Sequence, residues 1–425
     1  MNLLFTVLQV ALGIISANPE RAAGNLCGYF PQDTLVSDAP KGYKPFYISH
    51  IARHGSRFLD ENSADCFLAA DTLAFYAGQG LLTDEGIALM KDLRMLKNLS
   101  EGHYGALTEL GAREHRQICD RMVRHYPEVF SNPRRNKAEA FSTSSPRVVA
   151  SMSSFVGELA EIAPGVEVAV CQTKWGGEDP QSQEVNGYSD RVNEDLTELT
   201  KLKSSQLRRV RKKIARKYDN FDSFAARIFK DPGLVPASTP KYIAKTSFKA
   251  FKTGRVTDPE TMPSMGKYLS AGELYYMWTS SCIGWLRYIN MPGYVSPLAI
   301  LRGGGILERI IHDADEAIDA KSPMAATFRF SHDTYLLPLM GAIPLEGAAM
   351  ECEDKYLLEH FQDFNFICPA CNVQLVFYKN RKGSVLVKFL LNEKETLIHG
   401  LAPKTGCFYE WDSVKEFWAH RGIRS

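Results

Sequence analysis

The sequence predicts an α/β protein: a central mixed sheet flanked by helices, with a mainly α-helical cap domain inserted into it. Three observations predict this. Strand-like apolar runs stand towards both ends of the chain, helical periodicity dominates between them, and polar residues crowd where two of the runs end. The 425 residues exceed what one hydrophobic core usually organises, and 45% apolar with 23% charged is ordinary for a globular protein. With 50 basic against 49 acidic residues there is no global field, so anions must be recognised by locally clustered positive charge.

In chain order, MNLLFTVLQVALGIISA carries no charge before Glu20, and the apolar run Leu3 to Ile15 is too short to span a bilayer comfortably. Residues 1–17 are read as a signal peptide cleaved near Ala17, although no Lys or Arg precedes the run and Gln9 interrupts it. No later stretch reaches membrane-spanning length, so an exported protein without a membrane span is expected. Export would place nine cysteines where some can pair, and the odd count leaves at least one unpaired within the chain. Cys368 and Cys371 form a CPAC without a second pair at ligand spacing, which points to a local disulfide or two structural thiols rather than a zinc or redox site. Asn98-Leu99-Ser100 is a glycosylation sequon, meaningful only where exported proteins are glycosylated.

Residues 44–58 read as a buried strand feeding a loop, and Leu107 to Tyr126 as a helix with Leu110, Ile118, Met122 and Val123 near one face. AEAFSTSSPRVVASM reads as a short strand to Phe141, a Ser/Thr turn, and a helix starting near Pro146. From about 170 to 290 the strand signals fade. AATFRFSH, NVQLVFYKN and SVLVKFLLN then restore the strand pattern, the last two as a hairpin around KGS, and a terminal helix follows. The expected division is 18–165 with 290–425 as the α/β domain, and 166–289 as the helical insertion.

Two strand ends carry candidate chemistry, and such ends are where open α/β sheets place their sites. In ISHIARHGSRF, His54 stands between Arg53 and Arg57. Alone, this is more often a buried structural histidine beside surface arginines. A neutral imidazole is also a nucleophile that attacks phosphorus to give a phosphoramidate, and arginines match the phosphoryl oxygens in shape and charge. Such a site needs further cations and an acid for the leaving group. Arg147 in STSSPR, at a helix N-terminus, and His332 with Asp333 in FRFSHDT supply them without any metal or cofactor.

RHGSR, STSSPR about ninety residues later, and SHDT far downstream resemble the histidine acid phosphatases, the branch of the histidine phosphatase superfamily that holds many phytases. HDTYLLPLMGAI and NVQLVFYKNRKGSVLVKFLLNEKE are similar to multiple inositol polyphosphate phosphatases, especially bacterial ones. The resemblance covers nearly the whole chain. It implies that His54 is the phosphorylated nucleophile, that Arg53, Arg57, Arg147 and His332 hold the transferred phosphate, and that Asp333 is the proton donor. It implies an α/β domain with an inserted helical domain, and inositol polyphosphates as small-molecule substrate. Asp-Thr after His332 departs from the Ala-Glu usual in those relatives, which leaves the reaction intact and the position of first attack open.

Lys201 to Asp219 holds nine Lys/Arg with Leu207, Val210, Ile214 and Tyr218 at helical spacing. A solvated helix face and a basic wall receiving a polyphosphate both remain open. A nucleic-acid partner is not expected, because interleaved aromatics and any recognised motif are missing. The protein is expected to be a monomer.

Overall fold

A computed structural model describes residues 2–30, 36–172, 209, 211–254, 264–289, 297–349 and 361–423. Its strands are β1 (Tyr43–Arg53), β2 (Lys137–Ser142), β3 (Glu167–Gln172), β4 (Met324–Ser331), β5 (Asn372–Asn380), β6 (Val385–Leu391), β7 (Lys394–Thr396) and β8 (Phe408–Glu410). They form one mixed sheet in the order β3-β2-β4-β1-β5-β6-β7, with β8 also paired to β6. The first four positions are parallel, and β5 joins β1 antiparallel. The β5–β6 hairpin turns through Gly383 at φ 88, the left-handed region that glycine enters without a Cβ clash. The mixed sheet is the one the sequence predicts.

Alternation along central β1 feeds two cores. Tyr47 and Ile51 belong to one buried cluster, and Ile48 and Ala52 to the other, so both faces of the sheet are covered. The helices are α1 (Asn2–Ala17), α2 (Leu68–Gly78), α3 (Asp84–Ser100), α4 (Glu109–His125), α5 (Pro127–Phe130), α6 (Pro146–Ile162), α7 (Asp222–Ile228), α8 (Thr239–Gly254), α9 (Ala271–Ile289), α10 (Pro297–Ile318), α11 (Asp333–Ala342) and α12 (Trp411–His420). Ile118 and Met122 of α4 pack with Phe155 of α6 and Phe328 of β4 on one face. On the other face Ile310 and Ile311 of α10 and Leu336 and Leu339 of α11 pack with Tyr47 and Ile51. Ala11 and Ile15 of α1 are buried in that second cluster.

Two departures from the sequence reading concern the helical half. Glu167–Gln172 falls inside the expected insertion, yet it is edge strand β3, paired on one side to β2 and leaving Val170 exposed. Six residues with a single partner carry little periodic signal. The helical layer also draws on two separate stretches, because α8 packs on α2, α3 and the turn Glu61–Phe67, and Leu82 bridges Phe229. In the basic stretch, residues 201–208 and 210 lie outside the described residues. Beyond them Ile214 is buried, Tyr218 packs edge-on to Tyr275, and Arg211, Lys212, Lys213, Arg216 and Lys217 are exposed.

The eight described cysteines are thiols, and Cys352 lies outside the described residues. Cys368 and Cys371 are buried in a turn closed by the Cys371 N–H donating to the Cys368 carbonyl at 3.1 Å.

His50, buried in β1 and stacked on Phe155, is held down to about 3 by burial and by its neighbour His115. The unfolded chain binds a proton on this ring near pH 6.5 and the folded chain does not until about pH 3, so stability present above 6.5 is lost as pH falls between them. His50→Leu is therefore expected to flatten the decline of the urea midpoint between pH 6.5 and 3.5. An unchanged slope would remove His50 from the account.

Candidate active site

The parallel strands β1, β2 and β4 end on the same edge of the sheet, and the site is built there. β1 and β4 pair with Arg53 opposite Ser331. The next residues, His54 and His332, therefore meet, with ring centroids 5.5 Å apart and planes at 72°. The ladder continues past the strand, with the His54 N–H donating to the Ser331 carbonyl at 3.0 Å. On the other side the Arg53 N–H donates to the Cys371 carbonyl, and the His54 carbonyl accepts the Ala370 N–H, both at 2.9 Å. After β2, Thr143 places its hydroxyl 3.3 Å from His332 Nε2. Helices α6 and α11 start from this edge, bringing Arg147 and Asp333 in their first turns.

Gly55 and Gly111 explain how the loop turns so sharply. A Cβ on Gly55 would lie 2.4 Å from the Gly111 carbonyl oxygen, and one on Gly111 would lie 2.2 Å from the Ser56 carbonyl oxygen. Backbone thus rests on backbone where the loop meets the first turn of α4. Thr108 caps that turn by accepting the Gly111 N–H, and its hydroxyl donates to the Ser56 carbonyl at 2.9 Å. Glu114, buried one turn further on, accepts the Ser56 N–H and Ser56 hydroxyl at 2.8 Å and the Tyr29 N–H at 3.3 Å. Burial pushes this carboxyl up, and the hydrogen bonds from Ser56 and Tyr29 oppose it. Ser151 of α6 accepts the Gly55 N–H at 3.1 Å while donating to the Arg147 carbonyl, which ties the loop to the helix that carries Arg147.

His54 is 2% exposed, and its Nδ1 lies 2.8 Å from its neighbour's carbonyl, Gly55 O. A carbonyl only accepts, so Nδ1 carries the proton and Nε2 keeps its lone pair. Burial, followed by the guanidiniums of Arg53, Arg147 and Arg57, holds this ring well below its ordinary value. His332 is held down to about 4, by burial first and then by Arg147. Both rings stay neutral through mildly acid pH.

Arg53 ion-pairs with Asp333 through Nη2 at 2.7 Å, while its Nη1 donates to the Asn25 and Ile367 carbonyls. Arg57 ion-pairs with Asp60 at 2.8 Å and donates to the Phe58 carbonyl. The buried Nε atoms of Arg53, Arg57 and Arg147 have no hydrogen-bond partner among the described residues. Three buried donors on cations, beside a neutral imidazole, form a cradle whose desolvation an oxyanion would relieve.

All six residues singled out in the sequence stand in this cluster. Asn25, Glu114, Thr143 and Ser151 were not singled out. Glu114 stands one turn from both Leu110 and Ile118, on the buried face of its helix, and its contact with Ser56 gives the buried carboxylate its partners. Asn25 comes from a segment whose proximity no local pattern announces, whereas Thr143 lies within STSSPR, beside the residue that motif marked.

The family model described as histidine phosphatase superfamily (branch 2) matches residues 48–392. In structure the chain is similar to the multiple inositol polyphosphate phosphatase of Bifidobacterium longum in complex with inositol hexasulfate, at 16% identity and TM-score 0.71, over 95% of this chain and 100% of that one. It is similar to the phytase of D. castellii at 13% identity and TM-score 0.65, over 95% and 85%. It also resembles the Hafnia alvei phytase in complex with myo-inositol hexakis sulphate, at 11% identity and TM-score 0.52, over 91% and 98%. No curated protein matches the chain in sequence.

Gly111→Ala is expected to push residues 55–57 off α4, destabilising the protein by about 1–3 kcal/mol and lowering turnover roughly tenfold or more. Urea unfolding and phosphate release from the same preparation measure both. Gly157→Ala, whose Cβ would meet nothing within 4 Å, is the control.

Proposed function

The chain belongs to the histidine phosphatase superfamily, branch 2, and from that premise we propose that it hydrolyses inositol polyphosphates, phytate among them, through a covalent phosphohistidine. The observation that carries this reading is the His54 ring, with Nδ1 committed to Gly55 and Nε2 available among three arginines. The cations that would bind phosphate also keep the ring unprotonated, so it remains a nucleophile at acid pH.

In the first step the Nε2 lone pair attacks phosphorus, and the bond to the inositol oxygen breaks in line. Asp333 gives that oxygen its proton, and inositol leaves as an alcohol. Arg53, Arg57, Arg147 and His332 hold the equatorial oxygens as their charge builds. In the second step the Asp333 carboxylate takes a proton from water, whose oxygen attacks phosphorus. The phosphorus–nitrogen bond breaks, its electrons return to Nε2, and inorganic phosphate is released. Arg53 serves chiefly as a pivot, because Nη1 is committed to two carbonyls and Nη2 also pairs with Asp333, leaving Nε and the second Nη2 hydrogen for phosphate.

Support for inositol polyphosphates comes from the similar folds that hold inositol hexasulfate, and from the exposed basic residues 211–217, which can offset several phosphates at once. Export is part of the proposal and rests on the apolar run Leu3 to Ile15.

Four measurements test these points. His54→Ala should abolish phosphate release from phytate, and Asp333→Asn should slow phytate roughly a hundredfold or more and far more than p-nitrophenyl phosphate, whose leaving group needs no proton in the first step. Release by His54→Ala at the parent rate would sink the nucleophile assignment, and glucose phosphates cleaved as fast as phytate would sink the substrate. N-terminal sequencing of protein recovered from its native host should begin near Asn18; a retained first helix, packed through Ala11 and Ile15, would overturn export by a cleaved signal.

A further inference from the structure

Asn25 lies outside every motif that marks the site, in the short helical turn Pro19–Leu26, yet it touches both partners of the central ion pair. Its backbone carbonyl accepts from Arg53 Nη1, and its side-chain Nδ2 donates to Asp333 Oδ2 at 3.2 Å. A carboxylate neighbour sets the amide orientation, since only the nitrogen end can donate. The segment is itself anchored. The Asn25 N–H donates to Asp363 Oδ2 at 3.2 Å, and Asp363, 0% exposed, accepts Trp278 Nε1 at 2.8 Å. Gly24 at φ 61 lets the chain come this close, because a Cβ there would lie 2.6 Å from Asp363 Oδ2.

We propose that Asn25 is a positioning residue that, with Arg53, fixes Asp333 Oδ2 as a permanent acceptor and so leaves Oδ1 as the oxygen that carries and delivers the proton. The inference rests on the reading of Asp333 as the proton donor. Oδ2 lies 2.7 Å from Arg53 Nη2 in an ion pair and accepts Asn25 Nδ2 at 3.2 Å, so both the guanidinium charge and the amide donor face this oxygen. Oδ1 receives the Thr334 N–H at 2.9 Å, which leaves one lone pair for a proton. Without the amide, only the Arg53 contact remains on Oδ2, so the carboxyl can hold its proton on that oxygen, where it points away from the leaving group. The side chain acts on Asp333 alone, while Arg53 is held through the backbone of Asn25, so a side-chain substitution separates the two.

The test compares Asn25→Ala and the bulkier Asn25→Leu with Asp333→Asn. On phytate, kcat should fall roughly tenfold or more with KM within about threefold, while kcat on p-nitrophenyl phosphate stays within about threefold of the parent. Combining Asn25→Ala with Asp333→Asn should slow phytate no further than Asp333→Asn alone. Equal losses on both substrates, or full additivity in the double variant, would overturn the positioning role and leave Asn25 as scaffold. If Asp333→Asn itself shows no dependence on the leaving group, the proton-donor reading fails, and this inference with it.

Discussion

The parallel pairing of β1 with β4 is the constraint on which the site depends. It aligns two strands nearly three hundred residues apart so that Arg53 faces Ser331, and the chemistry then lies one residue beyond each strand end. A shift of one residue would turn His54 or His332 to the opposite face and part the rings. β5 on the other side of β1 fixes the same register, through the Cys371 carbonyl and the Ala370 N–H. A strand paired on both edges slides far less easily than an edge strand, which suits β1 to carry the proposed nucleophile at its end.

The cost of this arrangement is electrostatic. Three guanidiniums and two imidazoles crowd one small space, with Asp333 and Asp60 as the carboxylates paired to them. The imidazoles respond by staying neutral. Burial also lowers Arg57 and Arg147, each further lowered by neighbouring arginines, and Asp60 and Asp333 oppose this. A site with this excess of positive charge favours an anion over a neutral ligand.

The sequence made the residues of the proposed catalytic cluster legible because they sit in short, locally patterned runs: a buried strand ending in Arg53-His54-Gly55, a Ser-Pro turn opening a helix at Arg147, and a second strand ending in His332-Asp333. Parallel strands that end together place such runs side by side, so local pattern and global position coincide. Asn25 and Glu114 were not legible for the opposite reason. Each owes its position to a contact across 338 or 58 residues, with Asp363 and Ser56 respectively. β3 was missed because an edge strand with exposed Val170 gains little from burial, and burial is what writes a strand into a sequence.

The residues outside the motifs share one physical device. Glu114, Asp363 and Glu393 are buried carboxylates, and each is retained because several donors converge on it. Glu393 accepts both Nε and Nη2 of Arg121 and the Tyr29 hydroxyl, whose own N–H goes to Glu114. Tyr29 thus joins two of these carboxylates, and four residues earlier Asn25 reaches the third. The three described non-glycine residues with positive φ, Ala370, Asn392 and Glu393, all lie in this framework. Such conformations cost on the order of 1 kcal/mol each and survive where surrounding bonds over-determine them. Asn392 is held by the Asn372 N–H at its side chain and by its own N–H on the Asn372 carbonyl. The N-terminal segment, the CPAC turn and the hairpin after β6 are therefore locked to one another beneath the loop that carries His54. A nucleophile aimed at one phosphorus atom needs that rigidity more than it needs further cations, since a misplaced ring forfeits the in-line geometry that the arginines can only reward.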